Sequence, residues 1–361
     1  MVRMTRFPAL LLLATLFASL FATNTLAQYT ETITVSRVVL DLRVTKLSGE
    51  PVTDLEPEEF TILIGGKPSR VASVTWIDDA VFDDGSDAAV VPEDMDPEEA
   101  AALAELQEQA AATAPQGRLF VAFVQTDFSR ASARVRGQLK FRSYAKELVE
   151  SFAPNDRVAV LSFDSHLKFR RDFTADKEDV AEAMGDSIYI DNPPAPPAVD
   201  EPSLARFLDH GEMKNASTAE AALLLVAKAL GNIEGPKTLL LCGYGLGDRF
   251  AGKVIMRDEW GEARDRFLDA RTTIISLNTS EAPGQLSAGL AGAAKSTGGF
   301  YASTASFPQQ AINRTKNTLR GRYDLELIAD ASLGAGTHKV EARVKRKGTV
   351  VLAPTSVVIS D

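Results

Sequence analysis

The sequence is poor in the residues that covalent and acid–base chemistry use. Cys242 is the only cysteine among 361 residues, so no intrachain disulfide can form, and within its apolar run it reads as a small buried hydrophobe rather than a reactive thiol. Histidine occurs three times, as His166, His210 and His338, with no H-E-x-x-H pair, and no serine sits in a G-x-S-x-G elbow. These absences point away from an enzyme. Beyond the first 27 residues, no apolar run approaches the roughly 20 residues that a bilayer span needs. A broad basic stripe with interleaved aromatics is missing too, which argues against a nucleic-acid partner. With 45% hydrophobic residues, the fold must be held by its core.

Lys and Arg are absent from residues 78–108, which carry twelve acids. Without those acids the net charge of −10 becomes +2, so the acidity belongs to one stretch. Its first part, rich in Asp with little periodicity, reads as loosely held. Asp96-Pro97-Glu98-Glu99 then opens a short helix, with Asp as cap, Pro in the first turn and Glu99 at the capping-box position.

The chain starts like a targeting signal. Arg3 and Arg6 precede an apolar run from Ala9 to Ala22, and Thr25-Leu26-Ala27 supplies small residues before Gln28. The expectation is a signal peptide over 1–27 and an exported product, periplasmic or secreted. About 330 residues then remain, enough for two domains.

Residues 28–77 alternate apolar and polar through Ile33, Val35, Leu40, Leu42 and Val44, with turn signals at Ser48-Gly49-Glu50-Pro51 and Gly65-Gly66-Lys67-Pro68. This predicts a small antiparallel β module. An acidic linker with a short helix follows over 78–116. From 117 to 320 the pattern changes class. Apolar runs at 119–124, 158–163, 238–242 and 273–277 read as strands buried on both faces, separated by helical patterns. One helix is expected over 131–153, facing inward through Val135, Leu139, Tyr144, Leu148 and Phe152. The final segment, 321–361, returns to short strands. The expected fold class is therefore α/β: a doubly wound, mostly parallel sheet bracketed by β-rich N- and C-terminal segments.

Chemistry in such a sheet sits where loops leave the carboxyl ends of strands. The first central strand delivers Asp127-Phe-Ser129-Arg130-Ala-Ser132 there, and Asn215-Ala-Ser217-Thr218-Ala-Glu220 opens an apolar helix further on. Leu241-Cys242-Gly243-Tyr244-Gly245-Leu246-Gly247-Asp248 leaves a later strand. An Asp-x-Ser step followed by a Thr resembles the metal-ion-dependent adhesion site of von Willebrand factor type A domains. Other stretches carry the likeness in order: Gly49-Glu-Pro-Val-Thr-Asp-Leu-Glu-Pro-Glu-Glu-Phe60, Pro154-Asn-Asp-Arg-Val-Ala-Val-Leu-Ser-Phe163, Phe173-Thr174, Ala294-Lys-Ser-Thr-Gly-Gly-Phe-Tyr301 and Tyr323. Together they resemble the von Willebrand factor A-related proteins abundant in acidobacteria.

The resemblance implies a protein-binding module whose loops hold Mg²⁺ or another divalent cation through Asp127, Ser129 and Thr218. Here the ion site is degenerate. Ala131 stands where a second serine belongs, with Ser132 displaced by one residue, a rotation of about 100° on a helix. Gly243 replaces the acid of the third loop, and no carboxylate follows until Asp248. Thr218 has a competing role, because Ser217-x-x-Glu220 is a capping box. The binding surface expected is therefore Asp127, Ser129, Ser132, Thr218, Gly243 and Asp248, with no cofactor required.

A secondary basic face follows loop one. Arg130, Arg134, Arg136, Lys140, Arg142 and Lys146 come without an intervening acid, and the acidic segment precedes them. That segment either folds back over the helix start, with Arg130 standing in for the ion's charge, or stays a solvated tether beside a basic helix. The function expected is adhesion-type protein binding through loops 127–132, 212–218 and 243–250. The alternative is a structural or assembly protein of the cell envelope, acting through its β segments. Gly243-x-Gly245-x-Gly247 is misspaced for a dinucleotide loop.

Overall fold

The computed structural model describes residues 37–78, 117–126, 132–186 and 202–359. The signal-like leader, nearly all of the acidic linker, and Asp127, Ser129 and Arg130 lie outside the described residues.

Period-two alternation puts Val38, Leu40, Leu42 and Val44 on the buried face of β1 (Arg37–Lys46). β2 (Phe60–Ile64) and β3 (Lys67–Asp78) form a hairpin. Its turn, Gly65-Gly66, has φ of 59° and 79°, the left-handed pair of a type I′ hairpin turn.

The apolar runs become β4 (Leu119–Gln125), β5 (Arg157–Phe163), β7 (Lys237–Gly243) and β10 (Thr272–Asn278). With β6 (Leu167–Thr174) and β11 (Tyr301–Ser303) they make a six-stranded sheet of order β11-β10-β7-β4-β5-β6. β6 returns antiparallel to β5, and the other neighbours are parallel.

Alternate residues of these strands feed two cores. Val121, Phe123, Leu239 and Leu241 pack with α4 (Ala219–Leu230) and α5 (Glu259–Asp269). Phe120, Val124, Leu240 and Cys242 pack with α1 (Ser132–Glu150) and α2 (Lys177–Asp186). α3 (His210–Asn215), α6 (Ser287–Ser296) and α7 (Pro308–Thr318) complete the helices. A short hairpin, β8 (Asp248–Phe250) and β9 (Lys253–Ile255), follows β7.

The inward face of α1 is the expected one at Tyr144 and Leu148, with Phe152 buried just beyond the helix, but it differs in the first turns. Val135 and Leu139 are 38% and 45% exposed, whereas Gly137, Gln138 and Phe141 are buried. Gly137 sets this rotation: a Cβ there would lie 1.8 Å from the carbonyl oxygen of Thr279, so the helix meets the β10 loop through its glycine.

The last strands return to the first. β12 (Gly321–Ile328) inserts between β1 and β3, β13 (Gly336–Val344) pairs with β2, and β14 (Thr349–Leu352) and β15 (Ser356–Ile359) take the edges. The order is β14-β1-β12-β3-β2-β13-β15, antiparallel throughout. β13 and β14 lie five strand spacings apart in that order, about 24 Å on a flat sheet. The four residues between them span at most about 18 Å, so the sheet must curl.

Tyr323 anchors the interior of this sheet. Its hydroxyl donates to the Val52 carbonyl (2.8 Å) and accepts from the Leu55 amide (3.1 Å), while its ring meets Phe60 and Trp76 edge-on.

The expected fold class is corrected here. A doubly wound, mostly parallel sheet does not describe the chain, because eight of the twelve strand ladders among the described residues are antiparallel. The terminal β segments are not brackets but one seven-stranded sheet, the larger of the two. The physical reason is burial. Each terminal segment has one apolar face too small for a core, and joining them buries Leu40, Leu42, Ile62, Leu325 and Leu327 together.

Candidate functional site

β4, β7 and β10 end side by side at Gln125, Gly243 and Asn278. Polar side chains stitch this edge together. Gln125, only 2% exposed, accepts at Oε1 from the amides of Tyr244 (2.9 Å) and Gly245 (3.3 Å). Its Nε2 donates to the Gly245 carbonyl at 2.9 Å. A Cβ on Gly243 would lie 2.2 Å from that Oε1, so the carboxamide fills the space of a side chain at 243.

Asn278, fully buried, accepts from the Ser280 amide and donates to the Tyr301 hydroxyl, both at 2.9 Å. The Thr279 amide closes onto the Gly243 carbonyl at 2.8 Å.

The loop after β7 is held from the other side by Glu220. Its carboxylate is buried and accepts the amide of Gly247. Arg257 lies beside it, Nε 4.0 Å from Glu220, and bonds Asp248 at 3.0 Å. From this base the β8–β9 hairpin projects. Its turn holds Ala251 and Gly252 at φ of 47° and 76°, and Phe250 and Ile255 are 69% and 51% exposed. The pairing Asp248↔Ile255 and Phe250↔Lys253 puts both apolar side chains on one face of the hairpin.

The expected site residues divide as follows. Asp127, Ser129 and Arg130 lie outside the described residues. Ser132 is the first residue of α1, and its side chain also lies outside the description. Thr218 is the N-cap of α4, its hydroxyl accepting the Ala221 amide at 3.1 Å. The cap thus sits on Thr218 rather than Ser217, and Glu220 turns to Gly247 instead of closing a capping box.

Gly243 stands at the sheet edge against Gln125, and Asp248 is engaged by Arg257. Arg134 reaches the same edge, its guanidinium carbon 3.8 Å above the Tyr244 ring centroid, a cation–π contact. The next bases on that helix, Arg136 and Lys140, both pair with Glu281 at 2.6 Å and hold its carboxyl below the usual range. The acidic segment expected over this face falls mostly outside the described residues.

No group of three or more His, Cys, Asp or Glu among the described residues is placed to hold a metal. At the third loop the hard oxygen donor an ion needs is replaced by Gly243 and a carboxamide already bonded to backbone.

Gln125, Glu220, Tyr244 and Asn278 were not legible as site residues. The available signal was a polar residue at the last position of two of the buried strands, Gln125 on β4 and Asn278 on β10.

No family model matches the sequence, and no curated protein does. Solved structures do match it. A von Willebrand factor type A protein from Catenulispora acidiphila superposes with a TM-score of 0.38 at 9% identity, over 67% of this chain and 66% of that one. The PilB minor pilin from Streptococcus sanguinis gives 0.34 at 13% identity, over 57% and 61%. Manganese-loaded TRAP protein from Plasmodium vivax gives 0.37 at 12% identity, over 66% and 93%. The chain thus spans less than two thirds of the length of the first two. At these TM-scores the likenesses do not carry an assignment, and the edge must be understood from its own residues.

Proposed function

We propose that this chain is an exported protein–protein interaction module of the adhesion type, binding its partner at the carboxyl edge of the six-stranded sheet without a bound ion. The observation that carries this reading is the β8–β9 hairpin. It presents Phe250 and Ile255 on one exposed face, above a loop held by Glu220, Arg257 and Gln125. Isolated exposed apolar residues are ordinary, but two on one projecting face on a fixed base mark a contact surface. Beside it the edge carries an aromatic–guanidinium pair, Arg134 over Tyr244, which suits recognition better than bond making. Export rests on the basic and apolar pattern of the first 27 residues. Assembly through the β segments is less favoured, because each edge strand of the larger sheet has only four residues, a short template for strand addition.

The test compares what the wild-type chain and the Phe250→Asp variant retain from the envelope fraction of the producing cell. A protein held saturably by the wild type and by Val350→Asp, but lost with Phe250→Asp, supports the reading. Identical retention by all three proteins removes the hairpin from the binding surface.

A further inference from the structure

At the opposite end of the six-stranded sheet, the strand starts face the curled sheet across a polar crevice. Arg43, Arg118, Lys237, Arg271 and Arg322 line it, with Asp41 as the one carboxylate among the lining residues. Asp324 and Asp156 bond Arg271 and Arg118 from its margins. Two of the lining cations are deeply buried. Arg43 and Lys237 are 6% and 4% exposed.

Lys237 is the decisive residue. Its ammonium donates to the Ile233 carbonyl, and no carboxylate among the described residues pairs with it. An ammonium carries three donors, and burying one without a counter-charge is costly. Burial, with the neighbouring Arg271 charge, pushes its pKa down to about 8, so near neutral pH the cation is still present. The hydroxyl-bearing Thr238 and Thr273 line the same crevice, and the second of these accepts from Arg43 at 3.2 Å.

The cavity measures about 20 Å³, slightly more than the roughly 10–15 Å³ that one water-sized sphere requires. That is room for a monatomic species and too little for sulfate or phosphate.

We propose that this crevice is an anion site that takes one halide-sized ion, chloride in practice, beside Lys237 and joins the curled sheet to the amino-terminal ends of β4, β7 and β10. The ion supplies the negative charge that the buried lysine lacks. It binds the folded chain and not the unfolded one, so its presence reads out as stability.

The experiment is thermal unfolding of the full chain near neutral pH, with sodium chloride exchanged for sodium gluconate at constant ionic strength. Chloride and bromide should raise the Tm by about 1–2 °C over gluconate, the shift expected for a modest gain in a chain longer than about 250 residues. In Lys237→Met the chloride and gluconate values should coincide. In Lys228→Met, which removes a surface pair with Glu262, the difference should persist. Equal Tm values for the wild type in both salts, or a difference that survives in Lys237→Met, overturn the proposal. Should Lys237→Met fail to fold, the chloride-35 line width of the wild-type solution decides. Broadening that disappears once the ammonium is titrated supports the site, and line widths indifferent to that titration overturn it.

Discussion

The Oε1 atom of Gln125 lies where a side chain on Gly243 would begin, 2.2 Å from the position of its Cβ. One strand's carboxamide thus closes the place that an acid on the next strand would occupy. Restoring that acid should therefore not restore an ion site. Gly243→Asp is expected to cost about 1–3 kcal/mol through overpacking and to show no Tm rise when EDTA is replaced by millimolar Mg²⁺. Adding Gln125→Ala should relieve the crowding but leave the Tyr244 and Gly245 amides without their acceptor. An ion at a hundred times its dissociation constant would add about 2.7 kcal/mol. A magnesium-dependent rise of that size in Gly243→Asp would show that the edge is a latent metal site.

Thr218 separates two roles that the sequence left open. As the N-cap of α4, it accepts the Ala221 amide at 3.1 Å. Thr218→Ala should then lower stability by about 0.5–2 kcal/mol, while Thr218→Asp or Thr218→Asn should retain most of it. The loss should be the same in EDTA and in Mg²⁺. A loss seen only with the ion present would assign the hydroxyl to a metal instead.

The strands of the smaller sheet were legible because burial on both faces leaves uninterrupted apolar runs, as at Leu239-Leu-Leu-Cys242. Pairing across long distance was not. Nothing local in Val38–Val44 says that its neighbour is Leu325, and the partnership follows only from two half-cores that cannot be buried alone. Helix α1 lies where the spacing put it, but the face of its first turns was misjudged. Val135 and Leu139 fit an inward face by spacing, but Gly137 permits a backbone approach that hydrophobicity does not encode. Motif context put Thr218 at a helix start and Gly243 at a strand end, and both lie there. Gln125 could not, because a glutamine ending a strand gives no sign of which backbone it will bond.

Arg271 joins the two sheets from an uncommon backbone position. Its φ is 49°, a left-handed conformation that side chains bearing a Cβ seldom adopt. Its guanidinium bonds both oxygens of Asp41 at 2.7 Å and Asp324 at 2.7 Å. These bonds push its pKa further above the ordinary guanidinium range. Arg271→Gly relaxes the backbone but removes the clamp, and Arg271→Lys keeps a charge but loses the two-pronged geometry. Both should destabilise. Hydrogen bonds to charged groups are worth about 1.5–3 kcal/mol, and partial exposure of the arginine moves the expectation to the lower end. Hydrogen exchange should rise first in β1 and β12, which carry the two aspartates. Unchanged protection there would mean that the sheets are joined by their apolar contacts alone.

Asp164 gives the carboxyl edge a pH dependence of known sign. Burial would raise its pKa, but hydrogen bonds from Lys168 and from the amide and hydroxyl of Ser165 outweigh that and bring it to about 2, against an ordinary 3.8. A carboxyl depressed in the folded state binds its proton more readily when unfolded. It therefore contributes stability that is complete above the unfolded value and is lost as pH falls through the folded one. The window runs from the ordinary carboxylate value down to about 2. Comparing the Tm of the wild type with that of Asp164→Asn across this window isolates the contribution. The wild type should be the more stable above it, and the two should converge at its acid end. The gap should stay small, because the side chain is 34% exposed and water weakens the pair. A constant gap between the two proteins at every pH would mean that Asp164 acts through its hydrogen-bonding shape and not its charge.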